Sequence, residues 1–335
     1  MKIKLSFKIS DFTYTSSIII QNYSLIKNQV LNISIFQNEK FINHLDLCAL
    51  PKFHQYNLQE WQYTLDSFFQ YNTLNLENII LDVPLFNMVK SKNTRGIEGE
   101  LLFIIESVLF SVIEKCVPDV LSFIHKYPVK INGLYSSSIK MDHLPECLKI
   151  KIRPHQNNLN ETIELIKSLF KIKPNILLRL DGNRRFELAD LTSYIEKLER
   201  GCGPLLFSAI EYIEEPLKNA YDYYTFNQIY SYAIAIDESL EVYKNQLSQF
   251  RNLPEGLNLI LKPSIFGISK SFEIIKYAAS FHHNVVISST YETATAIRPL
   301  LYLAALNPRT YHGLDTLKFL PKDLSIECEN YSLNF

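Results

Sequence analysis

Glycine is scarce in this 335-residue chain, with 9 residues where average usage of about 7% would give about 23. Turns must therefore lean on Asn, Ser, Asp and Pro, and each remaining glycine carries weight. Cysteine is sparse too. Cys48, Cys116, Cys147, Cys202 and Cys328 form no Cys-x-x-Cys pair, which argues against a disulfide framework or a structural zinc site and suits a reducing cytoplasm. No His-Glu-x-x-His, phosphate loop or dinucleotide-binding glycine fingerprint occurs. A formal net charge of -1 leaves no footprint for nucleic acid or an anionic membrane. A long apolar run is missing as well. The nearest, residues 101–115, is broken by Glu106, Glu114 and Lys115 and reads as a buried helix of a soluble protein, not a membrane span. The first eight residues alternate charge with apolar side chains and lack the apolar core of a signal peptide.

What is present is a globular composition, 47% hydrophobic and 21% charged. Residues 1–95 read as an α+β domain with strands at Lys2–Lys8, Ser16–Gln21 and Leu31–Gln37. The helical spacing of Trp61, Leu65, Phe68 and Phe69 predicts a helix over Leu58–Tyr71. The polar stretch 90–96 marks a boundary, an apolar helix follows from about Ile97, and from about Val129 the texture changes. Short apolar strands, at 129–134, 148–152, 176–181, 210–214, 233–237, 257–262 and 285–289, alternate with amphipathic helices at 161–171, 187–200, 221–232, 242–251, 269–282 and 294–306. That alternation predicts a parallel sheet, in a closed barrel or an open doubly wound arrangement. Only about ten residues separate the first two strands, short for a helical crossover.

The strand ends favour the barrel. Successive strands finish on Lys151, Asp181, Glu214, Asp237, Lys262 and Ser288. Barrel units run to about 31 residues each, and a barrel gathers its strand ends at one mouth. Singly, each ending has an ordinary explanation: Asp181-Gly182 a turn, Glu214-Glu215-Pro216 a loop, Asp237-Glu238-Ser239 a helix cap. Together, three carboxylates in a small volume repel one another unless a cation neutralises them. Hard oxygen ligands of this kind suit Mg²⁺. Lys149 and Lys151 alternate onto one side of their strand, and Lys262 closes the apolar run Leu259-Ile260-Leu261 before Pro263. Cations flanking a metal suit proton abstraction beside a carboxylate, where the enediolate concentrates negative charge on oxygen.

The motifs Lys149-x-Lys151, Arg179-Leu-Asp181-Gly-Asn183, Glu214-Glu215-Pro216, Asp237-Glu238-Ser239 and Lys262-Pro263 together resemble the enolase superfamily, in its muconate-lactonising-type branch. Residues 286–292, Gly313-Leu314-Asp315-Thr316, Asn132-Gly133-Leu134 and Ala49-Leu50-Pro51 are similar to its family of o-succinylbenzoate-forming dehydratases. The resemblance implies an α/β fold, a (β/α)7β-type barrel at 96–317 with an N-terminal α+β capping domain at 1–95, joined by the tail 318–335. It implies Asp181, Glu214 and Asp237 as ligands of Mg²⁺, with Mn²⁺ as a possible substitute. Lys151 is then the proton-abstracting base and Lys262 the amine that stays cationic. Lys149, Arg179, Asn183, Ser288, Ser289 and Gly313 form the candidate substrate-binding set for a small-molecule carboxylate. Racemisation of N-acylamino acids or epimerisation of dipeptides in the same superfamily is an alternative, and a non-catalytic metal-binding scaffold a second. The chain departs from the family pattern in its shortened first crossover, in Gly182 where Ala is common, and in Thr290 and Thr293 where Ser is common.

Overall fold

The structure, a computed structural model, describes residues 2–20, 23–51, 53–72, 96–116, 128–136, 139, 141–230, 232–243, 253–326 and 332–333. Residues 90–95 of the expected boundary, residues 244–251 of the expected 242–251 helix, and Cys328 lie outside the described residues. The chain divides into two compact units. One comprises Met1–Lys130, Lys262–Ile274 and Ile287–Phe335; the other comprises Ile131–Leu261 and Ile275–Val286.

The first unit opens with a three-stranded antiparallel sheet of β1 (Ile3–Ile20), β2 (Tyr23–Gln37) and β3 (Lys40–Leu47). The expected strands 2–8 and 16–21 are one strand, because pairing with β2 runs on through the polar residues Ser10, Asp11 and Thr13. Ladder hydrogen bonds belong to the backbone and tolerate that polarity. The two-residue turn from β2 to β3 puts Asn38 at φ 47° and Glu39 at φ 66°, the left-handed pair a tight hairpin needs. In this glycine-poor chain an asparagine takes that role. The helix Leu58–Tyr71 matches its expected bounds and buries Leu58, Trp61, Leu65, Phe68 and Phe69. Asn57 and Glu60 form a reciprocal capping box at its start. β4 (Val129–Lys130) pairs antiparallel with the late segment Ser332–Leu333.

The apolar helix Gly99–Cys116 lies in the same unit, with Phe103–Ile113 buried throughout. Among the described residues no helix is long and apolar enough to cross a membrane. The charge that interrupts this run has a specific job. Glu106 accepts hydrogen bonds from the backbone N–H groups of Ile268 and Ser269 and from the Ser269 hydroxyl, satisfying donors at the start of the helix Ile268–Ser280. Burial outweighs those bonds and, with Glu273 nearby, pushes the Glu106 carboxyl up to about 7.

The second unit carries β5 (Gly133–Leu134), β6 (Cys147–Lys151), β7 (Leu177–Asp181), β8 (Ile210–Glu214), β9 (Ile234–Ile236), β10 (Asn258–Leu261) and most of β11 (Asn284–Ile287). These seven strands follow one another in the sheet in chain order. A doubly wound sheet reverses its order at a switch point; this one does not, as in a (β/α) barrel. The expected strand 129–134 divides into β4 and β5, and the described residues of the short first crossover include a 3-10 turn, Met141–His143. Later crossovers are amphipathic helices. Gln156–Ile172 turns Leu159, Thr162, Ile166 and Leu169 inward, and Leu188–Cys202 turns in Leu191, Tyr194, Ile195 and Leu198. The first two residues of the expected 242–251 helix close a 3-10 turn, Glu238–Tyr243.

A carboxyl whose folded-state pKa is raised holds a proton that the unfolded chain releases, so its stabilising effect is complete at low pH and is lost as pH climbs. Stability should therefore fall between pH 4.5 and about 7 on account of Glu106. Unfolding free energies measured by urea denaturation across that range should fall less in Glu106→Gln than in the native chain, by on the order of 3 kcal/mol.

Candidate active site

Lys151, Asp181 and Glu214 are the last residues of β6, β7 and β8, and Asp237 directly follows β9. The ladder places Lys151 opposite Asp181 and Asp181 opposite Glu214. That second pairing depends on a bulge. Leu178 pairs with Ile210, but Arg179 pairs with Tyr212, leaving Glu211 as the extra residue on β8. Without the extra residue Asp181 would face Ile213, and the Glu214 side chain would point to the other face of the sheet. Tyr212 and Ala235 belong to a buried apolar cluster with Ile260 and Val286. Glu214 and Asp237 stand two residues beyond Tyr212 and Ala235, so strand alternation sends them to that same face.

Lys149 lies between the carboxylates. Its Nζ is 2.7 Å from Glu214 Oε1 and 3.8 Å from Asp181 Oδ2. Burial alone would favour the neutral amine, but Glu214, Asp181 and Asp237 outweigh it and keep Lys149 charged. Glu214 is 2% exposed, and burial raises its pKa, as does crowding by Asp181 and Asp237; the rise persists with Lys149 alongside. One ammonium does not supply the positive charge this trio calls for. Among the described residues no three His, Cys, Asp or Glu side chains are gathered closely enough to hold a metal ion as they stand. The donor set and its charge deficit nonetheless fit a hard divalent cation.

Neighbouring groups fix these side chains in place. Asn183, with φ 47°, folds back so that its Nδ2 and backbone N–H donate to Asp181 Oδ1 at 2.5 and 3.2 Å. The Asp-Gly-Asn run is thus a turn, and the turn orients the carboxylate. Glu215 is buried at φ 38° and accepts the Asp237 backbone N–H at 2.6 Å and the Ser239 hydroxyl, tying the Asp237 loop to the end of β8. Beyond the strands the two loops stay paired: Arg184 N–H donates to Glu215 O and Phe186 N–H to Pro216 O, at 2.6 and 2.9 Å. Gly182 sits at this crossing, where an added Cβ would lie 2.6 Å from Pro216 Cα. Arg179 is fully buried, donating to Glu211 at 2.7 Å and Asn132 at 2.9 Å, with its guanidinium 4.7 Å from the Tyr212 ring centroid. These contacts brace β7 and β8.

The first unit holds the remaining candidates. Lys262 directly follows β10 and is half-buried, its Nζ 5.6 Å from the Phe53 ring centroid. Ser288 and Gly313 form a parallel bridge. An added Cβ at Gly313 would lie 2.9 Å from Ser288 Oγ, so glycine permits the close approach. Ser289 Oγ donates to Gly313 O at 3.1 Å and lies 2.5 Å from the Thr316 hydroxyl. The departures at 290 and 293 keep working hydroxyls: Thr290 donates to Glu292 at 2.5 Å and Thr293 to Asp46 O at 2.5 Å.

No protein-family model matches the chain. MenC from Desulfotalea psychrophila LSv54 superposes with a TM-score of 0.73 over all of both chains at 17% identity. A dipeptide epimerase from Enterococcus faecalis V583, complexed with Mg and L-Leu-L-Tyr, gives 0.72 over 96% of this chain and 92% of that one at 16% identity. The chain has the enolase-superfamily fold. In sequence it resembles the o-succinylbenzoate synthase of Yersinia pseudotuberculosis serotype O:1b (strain IP 31758), with 31% identity over 158 residues. That match spans 47% of this chain and 47% of the Yersinia protein, about half the length of the curated relatives.

Alanine at Gly182 should clash with the Pro216 backbone. Gly182→Ala should therefore lower unfolding stability by about 1–3 kcal/mol, measured by urea denaturation, although Ala is the common residue of the family pattern.

Proposed function

We propose that the chain is a metal-dependent dehydratase that converts 2-succinyl-6-hydroxy-2,4-cyclohexadiene-1-carboxylate to o-succinylbenzoate and water, a step of menaquinone biosynthesis in the cytoplasm. The observation that carries the reading is the ladder pairing of Lys151 with Asp181 and of Asp181 with Glu214, with Lys149 between the carboxylates. The half-length likeness to a Yersinia o-succinylbenzoate synthase supports the choice of reaction.

In this reading Asp181, Glu214 and Asp237 hold Mg²⁺, for which Mn²⁺ could substitute. The ion would supply electrophilic stabilisation of the substrate carboxylate as negative charge develops on it. Lys151, exposed at the end of β6, takes the proton from the carbon beside that carboxylate. The C–O bond on the adjacent carbon then breaks, and the same lysine returns the proton to the departing hydroxide, giving water. Acid and base act from one face, so the elimination is syn. Lys262 remains an ammonium and stabilises the enediolate electrostatically. Ser288, Ser289 and Gly313 would meet the succinyl arm. Aromatisation of the ring makes the product strongly favoured.

The similarity to a dipeptide epimerase favours one second reading, 1,1-proton transfer on an acylated amino acid. That chemistry needs both lysines as proton carriers; dehydration needs only Lys151. The experiment is a dehydration assay on the cyclohexadiene carboxylate with and without Mg²⁺, beside an epimerisation assay on dipeptides. Dehydration should require the divalent ion, should fall at least about 10³-fold in Lys151→Ala, and should persist in Lys262→Arg. Epimerisation without dehydration, abolished by either lysine substitution, would establish the second reading instead.

A further inference from the structure

Phe53 is the aromatic ring beside Lys262, and the segment that presents it is built with unusual care. Glu100, on the helix Gly99–Cys116, is buried and accepts the backbone N–H groups of Gln55 and Tyr56 at 2.9 and 2.7 Å and the Trp61 indole N–H at 3.2 Å. His54 Nδ1 accepts the Leu50 N–H at 2.8 Å, and the Phe53 and His54 N–H groups donate back to Leu50 O at 3.2 and 3.0 Å. The imidazole lies edge-on to both Phe53 and Trp61, with centroids 5.5 and 5.3 Å away. Burial drives the His54 pKa down to about 4, so at neutral pH this scaffold holds no imidazolium to repel Lys262. Glu100 and His54 therefore hold a four-residue segment whose first ring, Phe53, meets an ammonium 5.6 Å from its centroid, inside the range where a cation is attracted to a ring face.

We propose that Phe53 is a positioning residue for Lys262: its ring holds the side chain in place and favours the ammonium over the neutral amine. The inference rests on the dehydratase reading, in which Lys262 works as a fixed cation. A dehydratase gains from that bias, whereas a two-base epimerase must let the same amine give up its proton. Glu100 holds the 53–56 segment, Glu106 holds Ser269, and Glu292 holds Thr290. Two roles of the ring predict opposite signs. A ring that only excludes water disfavours the charged amine, so its removal would raise the Lys262 pKa. A ring acting through its π face favours the charge, so its removal lowers that pKa.

The test uses the full chain, with Phe53→Leu to remove the π face while keeping apolar bulk and Phe53→Tyr to keep both. Lys262 is acetylated in pulses across a pH series, and its modification is followed by mass spectrometry. In Phe53→Leu the pH of half-maximal labelling should drop by about half a unit to one unit, and in Phe53→Tyr it should match the native chain. The alkaline limb of dehydratase kcat should move the same way, with KM nearly unchanged. An unchanged or raised midpoint in a Phe53→Leu chain with native circular dichroism would overturn the proposal. Should Phe53→Leu fail to fold, Phe53→Met serves as the ring-free variant under the same criterion. A lowered midpoint in a chain with no dehydratase activity would uphold the pairing while refuting the dehydratase reading.

Discussion

Three carboxylates at adjacent strand ends can remain in a largely dry sheet only because a cation stands among them. Lys149, 2.7 Å from Glu214 and 3.8 Å from Asp181, is that cation. Removing ions from water costs several kcal/mol each, and deleting one partner of a buried pair costs about 3–5 kcal/mol, so the arrangement leaves little freedom at position 149. Lys149 also leaves a remainder. Glu214 stays harder to ionise than an ordinary glutamate, which is the condition under which a divalent ion binds with most to gain. The same residue thus keeps the folded site intact and leaves it short of charge.

Around this centre, much of the structure serves alignment. The extra residue Glu211 shifts β8 by one, bringing Glu214 level with Asp181, and Glu211 then pairs with Arg179, so the bulge supplies a partner for a buried guanidinium. Asn183 turns Asp181, and Glu215 fixes Asp237. These positions cluster with left-handed backbone at Asn183, Arg184 and Glu215, strain of the kind that persists where neighbouring contacts over-determine the conformation. The candidate residues sit on strand termini, and their alignment comes from paired loops immediately beyond them.

The strand ends were legible in the sequence because a buried strand is an apolar run and a polar residue closing it is conspicuous. Lys151, Asp181, Glu214, Asp237 and Lys262 all end or directly follow a strand, and the Leu58–Tyr71 helix matched residue for residue because its apolar spacing is regular. Other features depend on partners that a linear pattern does not contain. The β8 bulge is a relation between two strands. The roles of Glu211 and Glu215 follow from that register, although the doubled glutamate before Pro216 was a visible signal for Glu215. β3 reads Lys-Phe-Ile-Asn-His-Leu-Asp-Leu, too polar for alternation to reveal until pairing with β2 is known. The β1 midsection was broken in the reading for the same reason. The pairing of Arg179 with Glu211 likewise follows from the β8 bulge.

The central claim is that Asp181, Glu214 and Asp237 act as one cation site. Titration calorimetry of Mg²⁺ into the full chain, and into Asp181→Asn, Glu214→Gln and Asp237→Asn, tests it without reference to any substrate. The account predicts one binding event in the native chain and its loss, or at least about tenfold weakening, in each variant. Binding that is absent from the correctly folded native chain, or that survives undiminished in any one of the three, would contradict it.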